Sequence, residues 1–110
     1  MDDLARGDVV TVAATGDFAG KPRPAVVVQS DLFNETHASF TIVPITTALV
    51  DADLFRIDLR TKDSGLRARS QAMVDKITTV RRERIGRRIG ALVSEDMDRI
   101  DLALRTWLSL

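Results

Sequence analysis

The sequence places one arginine between two prolines, in Pro22-Arg23-Pro24, directly before a run of β-branched residues. Each proline fixes its own φ angle and biases the residue before it toward extended geometry, so the arginine is held at the start of a predicted strand. The next apolar run ends in two hydroxyl residues, Thr46 and Thr47. Where the two strands share one end of a sheet, a fixed guanidinium meets these hydroxyls. Such groups are suited to binding a phosphate.

The composition removes several catalytic chemistries. The chain has no cysteine and a single histidine, His37. It therefore has no thiol nucleophile and no disulfide, and it cannot assemble a zinc cluster of nitrogen and sulfur ligands. A serine triad and a paired-histidine ribonuclease are excluded or strongly weakened for the same reason. We expect neither a metal nor a cofactor.

The charge is unevenly distributed along the chain. The formal net charge at pH 7 is zero, yet residues 67–88 hold eight basic groups against only Asp75 and Glu83. A basic cluster of this kind is typical of a surface that binds a polyanion. The alternative is a solvated face that only keeps the protein in solution.

The length of 110 residues predicts one domain, residues 1–110, with a single modest core. No apolar run approaches the length of a membrane span, and the acidic start Met1-Asp2-Asp3 is unlike a signal peptide. Together with the absence of cysteine, these features favour a cytoplasmic location with no membrane partner.

The apolar pattern predicts a series of short strands followed by one helix. A surface loop is expected over Thr15–Lys21, and Ile85 with Ile89 indicates a strand end or a short helical turn. Ser94 is a candidate N-cap for a C-terminal helix whose apolar stripe ends near Trp107. The order of elements suggests a small, curled, mostly antiparallel barrel. The predicted strands are Val9–Ala14, Arg23–Gln29, Ser39–Ile45, Leu54–Leu59, Gln71–Ile77 and Thr78–Val80.

Four segments, taken in order, resemble the MazF/PemK family of toxin–antitoxin systems. They are Arg6-Gly7-Asp8-Val9-Val10, Gly20–Val27, Ile42–Thr47 and Asp75–Val80 with the downstream Arg84-Ile85. The resemblance implies a mainly β fold with α, an SH3-like antiparallel β-barrel with a C-terminal helix, acting as a homodimer. It also implies a metal-independent, sequence-selective endoribonuclease that cleaves single-stranded RNA, chiefly mRNA, through 2′-hydroxyl attack. A cognate MazE-like antitoxin would neutralise it.

Two other functions stay open at this stage. CcdB proteins resemble the same fold but inhibit DNA gyrase without catalysis, so the fold alone does not decide the activity. A binding module that has lost activity is the other alternative. Met73, Lys76 and Thr78 support it, because they depart from residues that are common in relatives.

The resemblance also suggests roles for individual residues. Arg23 and Thr46 match the family's catalytic arginine and threonine, and Asp75 matches an acidic position that could supply a general base. The alternative for Asp75 is an ion pair with a nearby arginine. Further positions are predicted to contact RNA. Phe18 either stacks on a base or docks onto the partner subunit, and Ser70 and Gln71 either read a base edge or belong to an ordinary strand surface. The predicted RNA-binding residues are Asp17, Phe18, Lys21, Thr47, Ser70, Gln71 and Lys76.

Overall fold

Seven β-strands and a C-terminal helix make up the fold in the computed structural model, which describes residues 4–13 and 21–110. All of the described strand pairings are antiparallel. No helix among the described residues is long and apolar enough to cross a membrane. The elements are β1 (Asp8–Val12), β2 (Arg23–Val27), β3 (Ser39–Thr46), β4 (Arg56–Leu59), β5 (Ser70–Met73), β6 (Thr78–Arg81), β7 (Ile85–Ala91) and α1 (Ser94–Leu108).

The strands follow the order β4-β5-β3-β2-β1-β7, and β6 also pairs with β3. Strand β3 pairs with β2 on one edge, while its other edge pairs with β6 over Ser39–Ile42 and with β5 over Ile45–Thr46. One edge of β3 therefore serves two partner strands. The prediction of a mainly antiparallel fold with a C-terminal helix is confirmed.

The core has two apolar clusters, one on each face of the central strands. Side chains alternate between the two faces of a strand. Val9 therefore packs with Ile100 of the helix, whereas Val10 packs with Phe40 in the second cluster. The same burial on both faces explains the continuously apolar run of β2, which lies between β1 and β3.

The helix begins differently from the prediction. Ser94 is the first helical residue rather than the N-cap, which is Val93, and its hydroxyl donates to Glu95 Oε1 at 2.9 Å. The start of the helix is instead anchored by the fully buried Asp96. Its carboxylate accepts hydrogen bonds from the Arg60 backbone N–H at 2.8 Å and from Arg99 Nη2 at 2.7 Å. The bond from Arg60 ties α1 to the residue that follows β4, and the bond from Arg99 lies within the helix.

Most predicted strands differ from the observed ones by one or two residues at either end, and two segments differ more. The strand predicted over Gln71–Ile77 ends at Met73, because Ile77 N donates to Val74 O and closes a 3₁₀ turn. The segment predicted as a strand end or helical turn is β7, a strand of seven residues. Its two glycines weaken the strand pattern in the sequence, but each lies close to a neighbouring segment. A Cβ at Gly86 or at Gly90 would lie 2.4 or 2.3 Å from an atom of a neighbouring segment.

Candidate active site

Arg23 and Thr46 lie at the same end of the sheet, as the strand pattern predicted. Arg23 is the first residue of β2 and Thr46 is the last residue of β3. The two strands pair with Ala25 opposite Pro44, so the same register, extended by two residues, places Arg23 opposite Thr46. Residues opposite each other in a sheet present their side chains on one face. Both residues line one groove.

The groove has a volume of about 850 Å³ and lies where β2 begins, β3 ends and β7 passes. No aspartate or glutamate of residues 4–13 and 21–110 lines it. Several cations do, so the groove has a positive potential that suits an extended polyanion. The cationic residues along its walls are Lys21, Arg23, Arg67, Arg87 and Arg88.

Most of these cations have no carboxylate partner among the residues that the structure describes. Arg88 forms an ion pair with the buried Asp8, with its Nε 3.0 Å from Oδ1. The other four are not paired with any carboxylate of the described part of the chain. Arg23 is exposed. A planar guanidinium held at a strand end can bind two oxygens of one phosphate.

The Thr46 hydroxyl is oriented by its own loop. Its Oγ1 accepts a hydrogen bond from the Ala48 backbone N–H at 3.0 Å. A hydroxyl carries one hydrogen and two lone pairs. Since the backbone N–H occupies a lone pair, the hydrogen of Thr46 stays available to donate to an anion in the groove.

The predicted RNA-binding residues divide between the groove and other parts of the fold. Lys21 and Thr47 line the groove, as does Ser70, whose hydroxyl already donates to Ala68 O at 2.9 Å. Of the predicted loop Thr15–Lys21, only Lys21 belongs to the described residues. The predicted RNA-binding residues Asp17 and Phe18 lie outside them.

Gln71 does not line the groove, and its surroundings argue against the predicted role as a base reader. Its side chain is buried, and its amide is bound to protein atoms on both sides. Nε2 donates to Val50 O at 2.9 Å and to Asp58 Oδ1 at 3.0 Å, and Oε1 accepts from Val50 N at 3.0 Å. No donor of this amide is left for a nucleic acid.

Asp75 and Lys76 also lie outside the groove lining. Asp75 forms a bidentate ion pair with Arg56, at 2.9 Å from Nε and 3.2 Å from Nη2. The hydrogen bonds from Arg56 hold the pKa of the Asp75 carboxyl below its ordinary value of 3.8. A carboxylate with a lowered pKa is a weak base, so the structure favours the ion-pair alternative over the predicted general base.

We expect Asp75→Asn to lower the free energy of unfolding by roughly 1–3 kcal/mol at neutral pH, because the largely buried Arg56 loses its partner. The folded-state pKa of Asp75 lies below the unfolded value. Its stabilisation is therefore fully present above about pH 4 and is lost as the pH falls through the folded-state pKa. Urea denaturation of both proteins should show a constant difference between about pH 5 and pH 8 that shrinks at lower pH. A difference that grows on acidification would contradict this assignment.

Three arginines of the groove were not predicted as site residues. Arg67, Arg87 and Arg88 belonged only to the basic cluster of the sequence, and that cluster was the signal that could have found them. They meet because the loop before β5 crosses β7 very closely. Gly65 has a φ of +76°, and a Cβ there would lie 2.2 Å from Ile89 O. Only glycine fits this crossing, which brings Arg67 to the same groove as β7.

Comparisons with known proteins give this groove its context. Residues 5–108 match the family described as PemK-like, MazF-like toxin of type II toxin–antitoxin system. A probable endoribonuclease MazF of Mycolicibacterium smegmatis is 45% identical over 108 residues, which covers 97% of this chain and 98% of the relative. Endoribonuclease MazF9 of Mycobacterium tuberculosis is 30% identical, with coverage of 97% and 98%.

Solved structures show the same fold. A mycobacterial endoribonuclease in complex with its cognate antitoxin has a TM-score of 0.83 at 23% identity, covering 98% of this chain and 97% of that one. The MazF of Deinococcus radiodurans has a TM-score of 0.80 at 17% identity, with 97% of each chain covered. The match over residues 5–108 and the relative of 45% identity show that this chain belongs to the family of PemK-like and MazF-like toxins of type II toxin–antitoxin systems.

Proposed function

We propose that this protein is an endoribonuclease toxin that cleaves single-stranded RNA in the groove of Arg23 and Thr46. The observation that carries the proposal is the placement of this pair in a groove lined by cations, with no carboxylate of the described residues along it. Family membership supports it, since the two relatives named above are described as a probable endoribonuclease and an endoribonuclease, and both match over nearly their whole length.

RNA supplies its own nucleophile, and this simplifies the chemistry that the protein must provide. The 2′-oxygen forms a bond to phosphorus, the bond from phosphorus to the 5′-oxygen breaks, and a 2′,3′-cyclic phosphate remains. The 2′-hydroxyl loses a proton and the departing 5′-oxygen gains one. In the proposed mechanism Arg23 stabilises the negative charge on the pentacoordinate phosphorus, and Thr46 donates a hydrogen bond to the same phosphate. This chemistry needs no metal ion.

A second cavity next to Arg23 supports a preference for unpaired RNA. It has a volume of about 210 Å³, and Arg23 and Pro24 belong to its lining as well as to that of the groove. Its other walls include the apolar side chains of Ile42, Pro44 and Val80. An unstacked base next to the bound phosphate can enter such a cavity, whereas a base within a duplex cannot.

Type II family membership and the solved antitoxin complex of a relative support a MazE-like antitoxin as the partner of this toxin. An acidic antitoxin segment suits the cationic groove and would compete there with RNA. We also propose that the toxin acts as a homodimer, with the exposed apolar residues Trp107, Leu108 and Leu110 at the end of α1 as candidates for the interface. The gyrase-inhibitor alternative lacks comparable support, because both relatives named above at 30% identity or more are endoribonucleases.

The deciding experiment incubates the purified protein with single-stranded RNA of mixed sequence in the presence of EDTA. We expect defined fragments that end in a 2′,3′-cyclic phosphate, and no cleavage of the same sequences in a duplex. A parallel reaction with gyrase and supercoiled DNA tests the alternative. If the RNA stays intact and gyrase–DNA complexes are trapped, the proposal of a nuclease is wrong and the gyrase-inhibitor alternative is correct.

A further inference from the structure

Gln71 forms a two-point clamp on the loop that follows β3. Its amide donates to the carbonyl of Val50 and accepts from the N–H of the same residue. These are the two bonds that a paired strand residue would make, although Val50 belongs to no strand. Asp58 accepts a further bond from Nε2 and thereby fixes which end of the amide faces which backbone group. The side chain is only 6% exposed, so water competes little for these bonds.

The clamped loop is the one that orients the Thr46 hydroxyl. The chain passes from Thr46 to Val50 in four residues, and within them Ala48 donates its N–H to Thr46 Oγ1. A clamp at Val50 limits how far Ala48 can move. Gln71 also lies directly opposite Thr46 in the pairing of β3 with β5. The clamp and the Thr46 hydroxyl are therefore held by the same pair of strands.

We propose that Gln71 is a positioning residue for RNA cleavage, which holds the loop at residues 48–50 so that the Thr46 hydroxyl donates into the groove. The inference rests on the proposed function. Gln71 itself touches neither RNA nor the reacting atoms. It acts through Val50 and Ala48 on Thr46, and its loss misplaces one hydrogen-bond donor while the groove cations stay in position.

The test substitutes Gln71→Met, which keeps the length of the side chain and removes the amide. We expect kcat on a single-stranded RNA to fall roughly tenfold, because small displacements of reacting groups are costly. KM should stay within about threefold of the wild-type value, since the cations that hold RNA are unchanged. Hydrogen exchange at the Ala48 and Val50 amides should be faster in the variant, which reports on the loop without using activity.

The chain offers a matched control in its other glutamine, Gln29. Its Oε1 accepts from Thr41 N at 3.1 Å and its Nε2 donates to Asn34 Oδ1 at 3.0 Å, near the start of β3 and outside the groove lining. Gln29→Met should therefore leave kcat unchanged. In a Thr46→Val background, Gln71→Met should cause no further loss, because the hydroxyl that it positions is already absent.

The outcomes test the positioning role of Gln71 and the proposed function separately. The positioning role would be overturned if Gln71→Met has the wild-type kcat. It would also be overturned if Gln71→Met lowers kcat in the Thr46→Val background by the same factor as in the wild type. If the wild-type protein cleaves no RNA, the proposed function fails, while the exchange rates at Ala48 and Val50 still decide whether the clamp holds the loop. If Gln71→Met does not fold, Gln71→Glu is used instead. It keeps the acceptor for Val50 N and loses the donor, and its kcat and amide exchange are compared in the same way.

Discussion

Arg23→Ala is expected to lower kcat for RNA cleavage by roughly a thousandfold while the protein stays folded. The charge on phosphorus develops in the transition state, and the loss of one well-placed donor to such a charge costs about 10²–10³ in rate. Arg23 is exposed at the first residue of β2, so its truncation opens no cavity in the core. Single-turnover cleavage by the wild type and the variant measures the loss, and circular dichroism verifies the fold. Arg23→Lys should recover only part of the rate, because an ammonium keeps the charge but not the bidentate fork.

Arg81→Ala provides the matched control for this experiment. Arg81 is also an exposed arginine on a strand, but it lies on β6 and does not line the groove. Its truncation removes the same charge and should leave kcat near the wild-type value. Comparable activity of Arg23→Ala and Arg81→Ala would remove Arg23 from the chemistry.

The second large effect is the dependence of RNA binding on salt. Four groove cations, Lys21, Arg23, Arg67 and Arg87, have no carboxylate partner among the described residues. If each neutralises one phosphate, the logarithm of the binding constant falls with the logarithm of the salt concentration with a slope of about −3. Between about 50 and 200 mM salt, the affinity should therefore drop roughly fiftyfold. Fluorescence anisotropy with an RNA that carries 2′-O-methyl groups measures binding without cleavage.

Single substitutions show which cations contribute to that slope. Arg67→Ala and Arg87→Ala should each make the slope shallower by about 0.7. Arg69→Ala should leave it unchanged, because Arg69 lies outside the groove lining and next to Asp58, with its Nη2 3.6 Å from Oδ2. A slope near zero for the wild-type protein would show that RNA does not follow this groove.

Local sequence patterns were sufficient to bring Arg23 and Thr46 together. The prolines and the apolar runs define two strands that are adjacent in the chain, and an antiparallel pair places the start of one beside the end of the other. The same reasoning identified the apolar stripe of α1. These features depend on residues that lie close together in sequence.

The roles of Asp75 and Gln71 depend on pairing between distant segments. Asp75 meets Arg56 because β4 and β5 pair with Arg56 opposite Met73, and Gln71 meets Val50 across 21 residues of chain. A one-residue shift in register would point these side chains to the other face of the sheet. No local pattern fixes that register, so the sequence left an ion pair and a base for Asp75 as alternatives, and it suggested RNA contact for Gln71.

The groove is assembled from residues that lie far apart in the order of synthesis. Arg23 and Thr46 leave the ribosome early, whereas Arg87 and Arg88 of the opposite wall belong to β7, near the end of the chain. On the proposed function, a chain that ends before β7 has Arg23 and Thr46 but lacks two of the cations that line the groove.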